Sequence, residues 1–537
     1  MKSSDILRVN NLDVEIGGKD ILHDVSFQIN PGDKIGIVGE NGAGKSTFLK
    51  AISGEIPAKN GEIFGAENVD KMDQNLDFSV DETSRNFLER KLNLEDISRK
   101  MSEIYEEISR NPSKENFAKL AKIQEEYDNS GIYDFENKLE KRLSEIELEN
   151  EILAKKFREL SGGQKQKIGI LATMLSEKNI ILMDEPTNNL DTENKKILED
   201  FINGSDKSFA FVSHDREFLR KVSRKIIEIS RNDGLTEYDM NYDEFEKTRK
   251  NLKNSELKNY EQQKKEDKKL KKQMRDLRIR ENTNRRGAKK STDNNKLAFN
   301  ARAAGGEKAA DKTRKNLNKK VAEHDVENFI MDFALDFDIV EKDKKYGRVN
   351  VKNLMVKYDD KTIAPKDFAI NVGERKRVVG ENGVGKSSVI TAILGENEFI
   401  KSGEIAKSPQ IKIGYIDQSQ NMKNKDENVV ENFAKMADEP MAEHDIRQLL
   451  IKFGIKKEDL DMPVRKLSSG QRMKALLAAM SVNKPDIIMM DEPTNNLDIA
   501  TIEGLENALN NYQGGLLIVS HDEEFAKNIS VNDIDIF

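Results

Sequence analysis

A glycine-rich motif that occurs twice constrains the fold of this chain more than any other feature of its sequence. Residues 39–47 read GENGAGKST, and residues 380–388, which begin 341 positions later, read GENGVGKSS. Both match G-x-x-x-x-G-K-[ST], a loop whose glycines let successive backbone amides wrap around a phosphate group. The first motif follows the apolar run at residues 34–38, and alternating apolar residues at 6–16 and 21–29 predict two antiparallel strands before it.

Four further features repeat in a common register. The segments at residues 160–164 (LSGGQ) and 180–185 (IILMDE), with Asp191 and His214, recur 307 positions later as LSSGQ, IIMMDE, Asp498 and His521. Five features in one order cannot reasonably arise by chance, so the chain is an internal duplication. The predicted fold class is α/β, with two P-loop domains at residues 1–242 (the first copy) and 348–537 (the second copy).

The first copy carries residues that the second copy lacks, because the offset between paired features falls from 341 to 307. We place this insertion at about residues 84–148. Apolar residues at helical spacing predict two helices there: Ile97, Met101, Ile104 and Ile108, then Phe117, Leu120, Ile123 and Tyr127. Asn111 and Pro112 predict the N-cap and first residue of the second helix. A core helix pair and a binding arm fit this periodicity about equally well.

Residues 243–347 join the two copies and have an unusual charge. From Arg249 to Lys320 there are 25 lysine or arginine residues and nine acidic ones, a net charge of +16. The whole chain carries −8, so the remainder carries −24. Sparse apolar positions predict a linker of two long antiparallel α-helices, with an irregular tip at about residues 282–306 where turn-forming residues cluster. An acidic body with one basic rod indicates a polyanionic partner.

The two glycine-rich loops predict most of the phosphate contacts, with ATP and Mg²⁺ as the cofactors. The ATP-binding candidates are Gly39, Asn41, Gly42, Gly44, Lys45, Ser46 and Thr47 in the first copy, and Gly380, Asn382, Gly383, Gly385, Lys386, Ser387 and Ser388 in the second. In this motif the lysine reaches the β- and γ-phosphates, and the serine hydroxyl that follows it binds Mg²⁺.

Two Asp-Glu pairs each follow four apolar residues, a pattern that predicts a buried strand with carboxylates at its carboxyl end. Asp184 and Asp491 are predicted to hold Mg²⁺, directly or through water. Glu185 and Glu492 are predicted to act as general bases that polarise the attacking water.

Two histidines and two glutamines complete the predicted sites. His214 and His521 each follow another apolar strand, where a histidine can contact the γ-phosphate. A single histidine is more often structural, but two in the same register favour a functional role. Gln74 and Gln418 are further candidates for contacts to Mg²⁺ and water.

The composition excludes several classes of protein. The chain has no cysteine, which excludes a disulfide framework, a cysteine-ligated zinc site and thiol catalysis. Residues 1–11 lack the apolar core of a signal peptide, and no apolar run approaches the roughly 18 residues of a membrane span. We therefore expect a cytoplasmic chain that crosses no membrane.

Together these motifs resemble the ABC-F family, in which two ABC ATPase cassettes lie on one chain without membrane spans and are joined by a basic helical linker. The doubled MDEPTNNLD at residues 183–191 and 490–498 is particularly similar to that family. The resemblance implies a monomer whose cassettes close on two ATP molecules, each held between the loop of one copy and the signature of the other. The implied signature residues are Ser161, Gly162, Gly163 and Gln164, and Ser468, Ser469, Gly470 and Gln471, with Asp191 and Asp498 in the adjoining loops.

The resemblance also implies a partner, the 70S ribosome. It implies that the linker enters the E site and contacts P-site tRNA and the 23S rRNA of the 50S subunit, with its tip near the peptidyl-transferase centre. The insertion corresponds to the arm of that family, which contacts the ribosomal stalk region. The RNA-binding candidates are Lys264, Lys265, Lys268, Lys269, Arg285, Arg286, Lys289, Lys290, Phe299 and Arg302.

Two positions depart from the pattern of that family, and both fall in one composite site. Such cassettes usually stack the adenine on an aromatic residue, which Tyr358 supplies in the second copy, whereas Ile16 stands at that position in the first. In the second signature, Ser469 replaces a glycine. The site at Lys45 contains both departures, so we expect it to turn over more slowly than the site at Lys386.

Several functions remain open from the sequence. Within the ABC-F resemblance, the long linker with its extended tip and the end of the chain directly after the second cassette favour antibiotic resistance by ribosomal protection over a housekeeping translation factor. An ATPase subunit of a membrane transporter is disfavoured by the basic linker. A DNA-repair ATPase is disfavoured because its relatives often carry zinc modules, which a chain without cysteine cannot build.

Overall fold

The computed structural model describes residues 6–72, 81–92, 94–129, 132–188, 190, 192–230, 234–252, 347–358, 361–380, 384–395 and 400–537, with eight single positions between 254 and 275. The chain divides into two compact units, one of residues 1–242 with 332–537 and one of residues 243–331. Among the described residues, no helix has both the length and the apolar character of a membrane span.

The first copy alternates strands with helices, as its apolar runs predict. Its strands are β1 (Leu7–Ile16), β2 (Lys19–Ile29), β3 (Lys34–Val38), β4 (Asn60–Phe64), β5 (Val69–Met72), β6 (Ile180–Asp184), β7 (Ser208–Val212), β8 (Lys225–Ser230) and β9 (Gly234–Tyr238). Its α-helices are α1 (Lys45–Ile52), α2 (Ser84–Lys91), α3 (Glu95–Arg110), α4 (Lys114–Asn129), α5 (Ile132–Glu145), α6 (Gly162–Leu175), α7 (Thr192–Gly204) and α8 (Arg216–Val222).

The second copy repeats this order without the inserted helices. Its strands are β10 (Arg348–Tyr358), β11 (Lys361–Ile363), β12 (Phe368–Asn371), β13 (Arg375–Val379), β14 (Ile400–Lys407), β15 (Ile413–Ile416), β16 (Ile487–Asp491), β17 (Gly515–Val519) and β18 (Asn532–Asp535). Its α-helices are α9 (Lys386–Leu394), α10 (Val429–Met436), α11 (Glu443–Lys452), α12 (Ser469–Asn483), α13 (Ile499–Asn511) and α14 (Glu523–Asn528).

One sheet in each copy positions the functional loops. In the first copy its order is β5-β6-β7-β3-β8-β9, parallel except for β9, and in the second it is β15-β16-β17-β13-β18, all parallel. Strands β3, β7, β16 and β17 are buried along their whole length, which explains why they are apolar apart from the terminal residues Lys34, Ser208 and Asp491. The loops that follow β3, β6 and β7 therefore leave the same edge of the sheet side by side.

A smaller antiparallel sheet accompanies each parallel one. The predicted pairing of the first two strands is confirmed, because β1 pairs antiparallel with β2 from Leu7↔Ile29 to Ile16↔Lys19. Strand β1 also pairs with β4, and in the second copy β10 pairs with β11, β12 and β14. These sheets bury alternate apolar side chains against the parallel sheets.

The insertion contains the predicted helix pair. Helices α3 and α4 pack together, with Met101 and Ile104 buried and Lys100 Nζ 3.0 Å from Glu126 Oε2. The predicted start of the second helix at Pro112 is wrong, since α4 begins at Lys114. The Ser113 hydroxyl accepts a hydrogen bond from the Asn116 amide at 3.2 Å, and this contact satisfies an amide of the first turn in place of an Asn111 cap.

Only part of the linker lies within the described residues. The described positions from 243 to 275 are all helical, as the sequence predicts for the first arm. The return helix and the tip at 282–306 lie outside the described residues, so the hairpin stays a prediction.

Candidate functional site

The loop after β3 can approach a phosphate because glycines occupy its tightest positions. Gly39 has φ +146°, and a Cβ there would lie 2.1 Å from the carbonyl oxygen of Ile229. Gly44 has φ +97° and immediately precedes α1, where a Cβ would lie 3.0 Å from Ile21. Both positions require glycine. The amides of this loop and the first turn of α1, which includes Ser46 and Thr47, form a positive concavity for an anion.

Lys45 lies at the start of α1 with its ammonium held inside this loop. Its Nζ donates hydrogen bonds to the carbonyl oxygens of Gly39, at 2.7 Å, and Glu40, at 3.0 Å. Burial lowers the pKa of Lys45, while the charges of Glu185, Asp498 and Asp184 act in the opposite direction. A buried ammonium inside a loop of backbone amides is well placed to contact a phosphate, as the lysine of this motif does.

The second loop has the same construction. Lys386 Nζ donates to the Gly380 carbonyl at 2.6 Å and lies 3.3 Å from His521 Nε2. Gly385 has φ +108°, and a Cβ there would lie 2.3 Å from Ile363. Ser387 and Ser388 form the first turn of α9. The candidates Asn382 and Gly383 lie outside the described residues.

The two aspartates lie at the carboxyl ends of their strands, Asp184 on β6 and Asp491 on β16. Ser387 donates a hydrogen bond to the Asp491 carboxyl, whose Oδ1 is buried and has no hydrogen-bond partner among the described residues. An unpartnered oxygen beside a serine hydroxyl fits Mg²⁺, which prefers oxygen ligands and takes the rest from phosphate and water. No group of three or more acidic or histidine side chains in the described residues could hold a metal alone.

The glutamates that follow these aspartates have the same unusual backbone. Glu185 has φ +50° and Glu492 has φ +44°, a left-handed conformation that is uncommon for residues other than glycine. Each amide is fixed by the neighbouring strand, donating to Val212 O at 2.9 Å and Val519 O at 2.8 Å respectively. Burial raises the pKa of Glu185 to about 8 and that of Glu492 to about 7. A carboxylate with a pKa near neutrality is effective as a general base.

Each glutamate is also held by the histidine at the end of the next strand. The His214 amide donates to Glu185 Oε2 at 3.3 Å, and the His521 amide donates to Glu492 Oε2 at 3.4 Å. The His214 ring Nε2 lies 3.3 Å from Glu185 Oε1, and the His521 Nε2 lies 3.6 Å from Glu492 Oε1. Burial, reinforced by the charge of Lys45, lowers the pKa of His214 to about 3, so its imidazole is neutral.

The two signatures are helix N-termini with identical capping. Ser161 accepts from the Gln164 amide at 3.2 Å, and the Gln164 side chain accepts from the Ser161 amide at 3.0 Å. Ser468 and Gln471 make the same two bonds at 3.2 and 2.8 Å. These capping boxes leave the amides of the first turn, which include Gly162 and Gly163 of α6 and Gly470 of α12, available for an anion.

Contacts across the duplication bring the first loop to the second signature. The Asn41 amide donates to Asp498 Oδ2 at 2.8 Å, and its side-chain Nδ2 donates to the Asn496 carbonyl at 2.9 Å. The same Nδ2 lies 3.5 Å from Ser469 Oγ, which itself donates to the Asn496 carbonyl. The Ser469 hydroxyl, at a position where the first signature has glycine, thus contacts both the first loop and the loop that contains Asn496. Asp191, the counterpart of Asp498, lies outside the described residues.

Asp498 contributes to the same contact through both carboxylate oxygens. Its Oδ1 accepts from the Thr501 amide at 2.9 Å and thereby caps α13, while its Oδ2 accepts from Asn41. Burial alone would raise the pKa of Asp498, but the hydrogen bonds from Thr501 and Asn41 outweigh it and hold the pKa below its usual value. The residue is therefore ionised where the two copies meet.

A cavity of about 700 Å³ lies between the two copies at the second loop. Its lining includes Lys386, Ser387, Gln418, Asp491, Glu492 and His521 of the second copy, and Glu185 and His214 of the first. Gln418 is exposed within it, whereas Gln74 lies outside the described residues. Tyr358 ends β10, and Ile16 ends β1 with 45% of its surface exposed.

Residues 22–188 and 364–495 match the protein family described as ABC transporter, over more than half of the chain and in both copies. The chain belongs to this family. It is an ATPase with ABC ATP-binding domains in tandem.

This ABC ATPase is similar to several known proteins along nearly its whole length. It is 29% identical to the ATP-binding protein Uup of Escherichia coli (strain K12) over 522 residues, covering 95% of this chain and 76% of that one. It is 27% identical to the ABC transporter F family member 2 of Arabidopsis thaliana over 538 residues, covering 97% and 74% respectively.

A solved structure shares the tandem fold of this ABC ATPase. The crystal structure of the complex of archaeal ribosomal stalk protein aP1 and archaeal ribosome recycling factor aABCE1 matches 98% of this chain and 86% of that one, with a TM-score of 0.57. The identity is 16%, so the likeness shows the fold alone.

The geometry of this ABC ATPase permits hydrolysis by its own side chains. The loop amides and the two lysines form concavities that fit phosphates, and Glu185 and Glu492 are largely buried carboxyls whose charges act on Lys45 and Lys386 respectively. Bound Mg²⁺ would neutralise phosphate charge, and Ser46, Ser387, Asp184 and Asp491 fit as its holders.

Sequence reasoning missed one group of residues at the junction of the copies. Arg216 and Arg220 of α8 contact Glu506 of α13 and Glu524 of α14. Single charged residues on helices carry no motif, so their pairing could be found only from the structure.

Proposed function

We propose that this chain is an ABC-F ATPase of the ribosome, with a first ATPase domain at 1–242, a linker at 243–347 and a second ATPase domain at 348–537. In this proposal the chain binds the E site of the 70S ribosome. The linker acts on P-site tRNA, on 23S rRNA and on the peptidyl-transferase centre of the 50S subunit. Closure of the two copies on ATP positions the linker, and hydrolysis releases the chain.

The observation that carries this proposal is the positive charge of the linker, +16 from Arg249 to Lys320. Among the described positions of its first arm, five basic residues are helical and exposed: Lys258, Lys265, Lys269, Lys272 and Arg275. An exposed basic helix provides phosphate contacts along its length. Lys264, Lys268, Arg285, Arg286, Lys289, Lys290, Phe299 and Arg302 lie outside the described residues and remain RNA-binding proposals.

The roles of the site residues are part of the same proposal. Glu185 and Glu492 act as general bases, and His214 and His521 orient them toward the γ-phosphate. Each signature contacts the ATP that is bound by the loop of the other copy. The bonds from Asn41 to Asp498 and Asn496 support this arrangement for the site at Lys45.

Co-sedimentation with ribosomes tests this function. A chain with both Glu185→Gln and Glu492→Gln keeps the size and hydrogen bonding of the two side chains but loses the bases. ATP should therefore close it without release, and it should sediment with 70S ribosomes in ATP more fully than the wild type. Binding no stronger than that of the wild type would reject the ATP-closed, ribosome-bound state.

A charge-reversed linker tests the contact surface. Reversing Lys265, Lys269, Lys272 and Arg275 to Glu should abolish sedimentation and leave ribosome-free ATPase activity unchanged. The matched control reverses four exposed lysines of the ATPase domains, and it should still sediment: Lys141, Lys196, Lys352 and Lys452. Equal loss in both variants would assign the effect to net charge rather than to the linker.

We further propose that the biological effect is ribosomal protection against antibiotics. Drug susceptibility of cells with and without the gene, across ribosome-targeting classes, tests this directly. Raised inhibitory concentrations that disappear in the double Gln variant are expected. An unchanged panel together with a translation defect in the deletion strain would assign the chain to the housekeeping branch.

A further inference from the structure

A buried ionic contact joins the two copies at one side of their junction. Arg216, the first residue of α8, is buried, and its guanidinium forms a two-point ion pair with Glu506 of α13. Its Nε lies 3.6 Å from Glu524 Oε1, and Arg220 Nη1 donates to Glu524 Oε2 at 2.7 Å. Asn528 also donates to Glu506, at 3.1 Å. We call these two arginines and two glutamates the clasp.

The clasp lies beside the composite site at Lys45. Arg216 comes two residues after His214, whose ring contacts Glu185. Glu506 lies on α13, the helix that Asp498 caps while it accepts from the Asn41 amide. The clasp and the Asn41 contact therefore hold the same helix of the second copy against the first copy.

Among the described residues, the other half of the junction shows no equivalent of the ion pair between Arg216 and Glu506. The repeat offset of 307 places Glu523 at the position of Arg216, and Glu199 at the position of Glu506. The exposed Glu523 thus stands where the first copy has the buried Arg216. Glu199, which corresponds to Glu506, pairs instead with Lys221 of its own copy at 3.0 Å. Both Glu199 and Glu523 line the 700 Å³ cavity that also contains Lys386.

We propose that Arg216 is a positioning residue that keeps the Lys45 site closed while the copies separate at the Lys386 site. Opening the clasped half exposes two arginines and two glutamates that are otherwise paired with one another, whereas the described residues of the other half show no such pair to break. Nucleotide at Lys45 is then retained over several turnovers, and nucleotide at Lys386 exchanges in each one.

Nucleotide release tests this proposal with the full chain. The chain is loaded with a fluorescent, non-hydrolysable ATP analogue and chased with unlabelled ATP. Release in two phases is expected, the slow phase at least tenfold slower. Lys386→Ala should leave only the slow phase, and Lys45→Ala only the fast one, which assigns each phase to a site.

The clasp variants then separate positioning from folding. Arg216→Gln should accelerate the slow phase at least tenfold and leave the fast phase unchanged, and the charge swap Arg216→Glu with Glu506→Arg should restore it. An unchanged slow phase in Arg216→Gln, or a swap that fails to restore it, contradicts the proposal.

A gain-of-function variant keeps the test independent of any loss of folding. Glu523→Arg installs an arginine opposite Glu199, so it should slow the fast phase severalfold. Glu523→Gln, which removes the charge without adding a donor for that pair, is the matched control and should not slow it. A fast phase that Glu523→Arg leaves unaltered would refute the role of the clasp.

Discussion

Removing one proposed general base at a time should expose the difference between the two ATP sites. Glu492→Gln should disable the site at Lys386 and Glu185→Gln the site at Lys45, because the charge of Glu492 acts on Lys386 and that of Glu185 on Lys45. The two substitutions are chemically identical and fall at matched left-handed positions. Any difference between their effects therefore reports a difference between the sites.

The contacts across the junction set the expected size of that difference. A net hydrogen bond to a charged group contributes about 1.5–3 kcal/mol, and the clasp provides one such bond or more that the other half lacks. At about 1.4 kcal/mol for each factor of ten, opening at Lys45 becomes slower by about 10- to 150-fold. The Lys386 site should then carry about nine-tenths or more of the turnover.

Steady-state phosphate release by the ribosome-free chain is the assay. Glu492→Gln should keep less than about a tenth of wild-type activity, while Glu185→Gln should keep most of it. Glu151→Gln, at an exposed position away from both sites, is the control for handling and folding. Equal losses in the two variants would refute the asymmetry, and a larger loss from Glu185→Gln would reverse it.

Three further predictions concern stacking on the adenine of ATP, a buried carboxyl group and the tip of the linker. Ile16→Tyr should tighten ATP binding at the Lys45 site, since an aromatic–base stack contributes about 1–3 kcal/mol, and equilibrium titration of a Lys386→Ala chain would detect this. Burial raises the pKa of Asp522 from 3.8 to about 6; the charges of Asp215 and Glu506 also raise it, and the charge of Arg216 lowers it. The folded state therefore loses stability as the pH rises through about 6. Asp522→Asn should raise the melting temperature at pH 7.5, and should raise it by less at pH 5. The control Asp215→Asn loses an ion pair with Lys195 and should lower the melting temperature at both pH values. An equal gain from Asp522→Asn at both pH values would contradict the burial argument. Deleting residues 289–299 should abolish drug protection but preserve sedimentation with ribosomes, and full protection by the deleted chain would show that the tip has no role.

The sequence predicts the parallel sheets well because a strand that is buried on both faces appears as a short run of consecutive apolar residues. Strands such as β3 and β16 are apolar except at one end, and the polar residues at or after their carboxyl ends mark the edge where the loops meet. The duplication strengthens each assignment, because a motif that occurs in both copies at the same offset cannot reasonably arise by chance.

The sequence alone does not predict which of two neighbouring residues caps a helix, or which charged residues far apart in the chain form ion pairs. The start of α4 was misplaced because Asn111 and Ser113 are both good caps, and only the folded chain shows that Ser113 makes the contact. The pairing of Arg216 with Glu506 joins residues 290 positions apart that carry no motif. Likewise the near-neutral pKa of Glu492 arises from burial in the folded chain.

The central claim, that ATP closes the two copies and so places the linker on the ribosome, is tested most directly by imaging the trapped complex. Single-particle structure determination of the Glu185→Gln and Glu492→Gln chain with ATP and 70S ribosomes carrying P-site tRNA would show where it binds. The account predicts one chain in the E site, two ATP molecules between its copies, and the first arm of the linker, from Lys258 to Arg275, against RNA. A chain bound elsewhere, or ribosomes without it, would contradict the account.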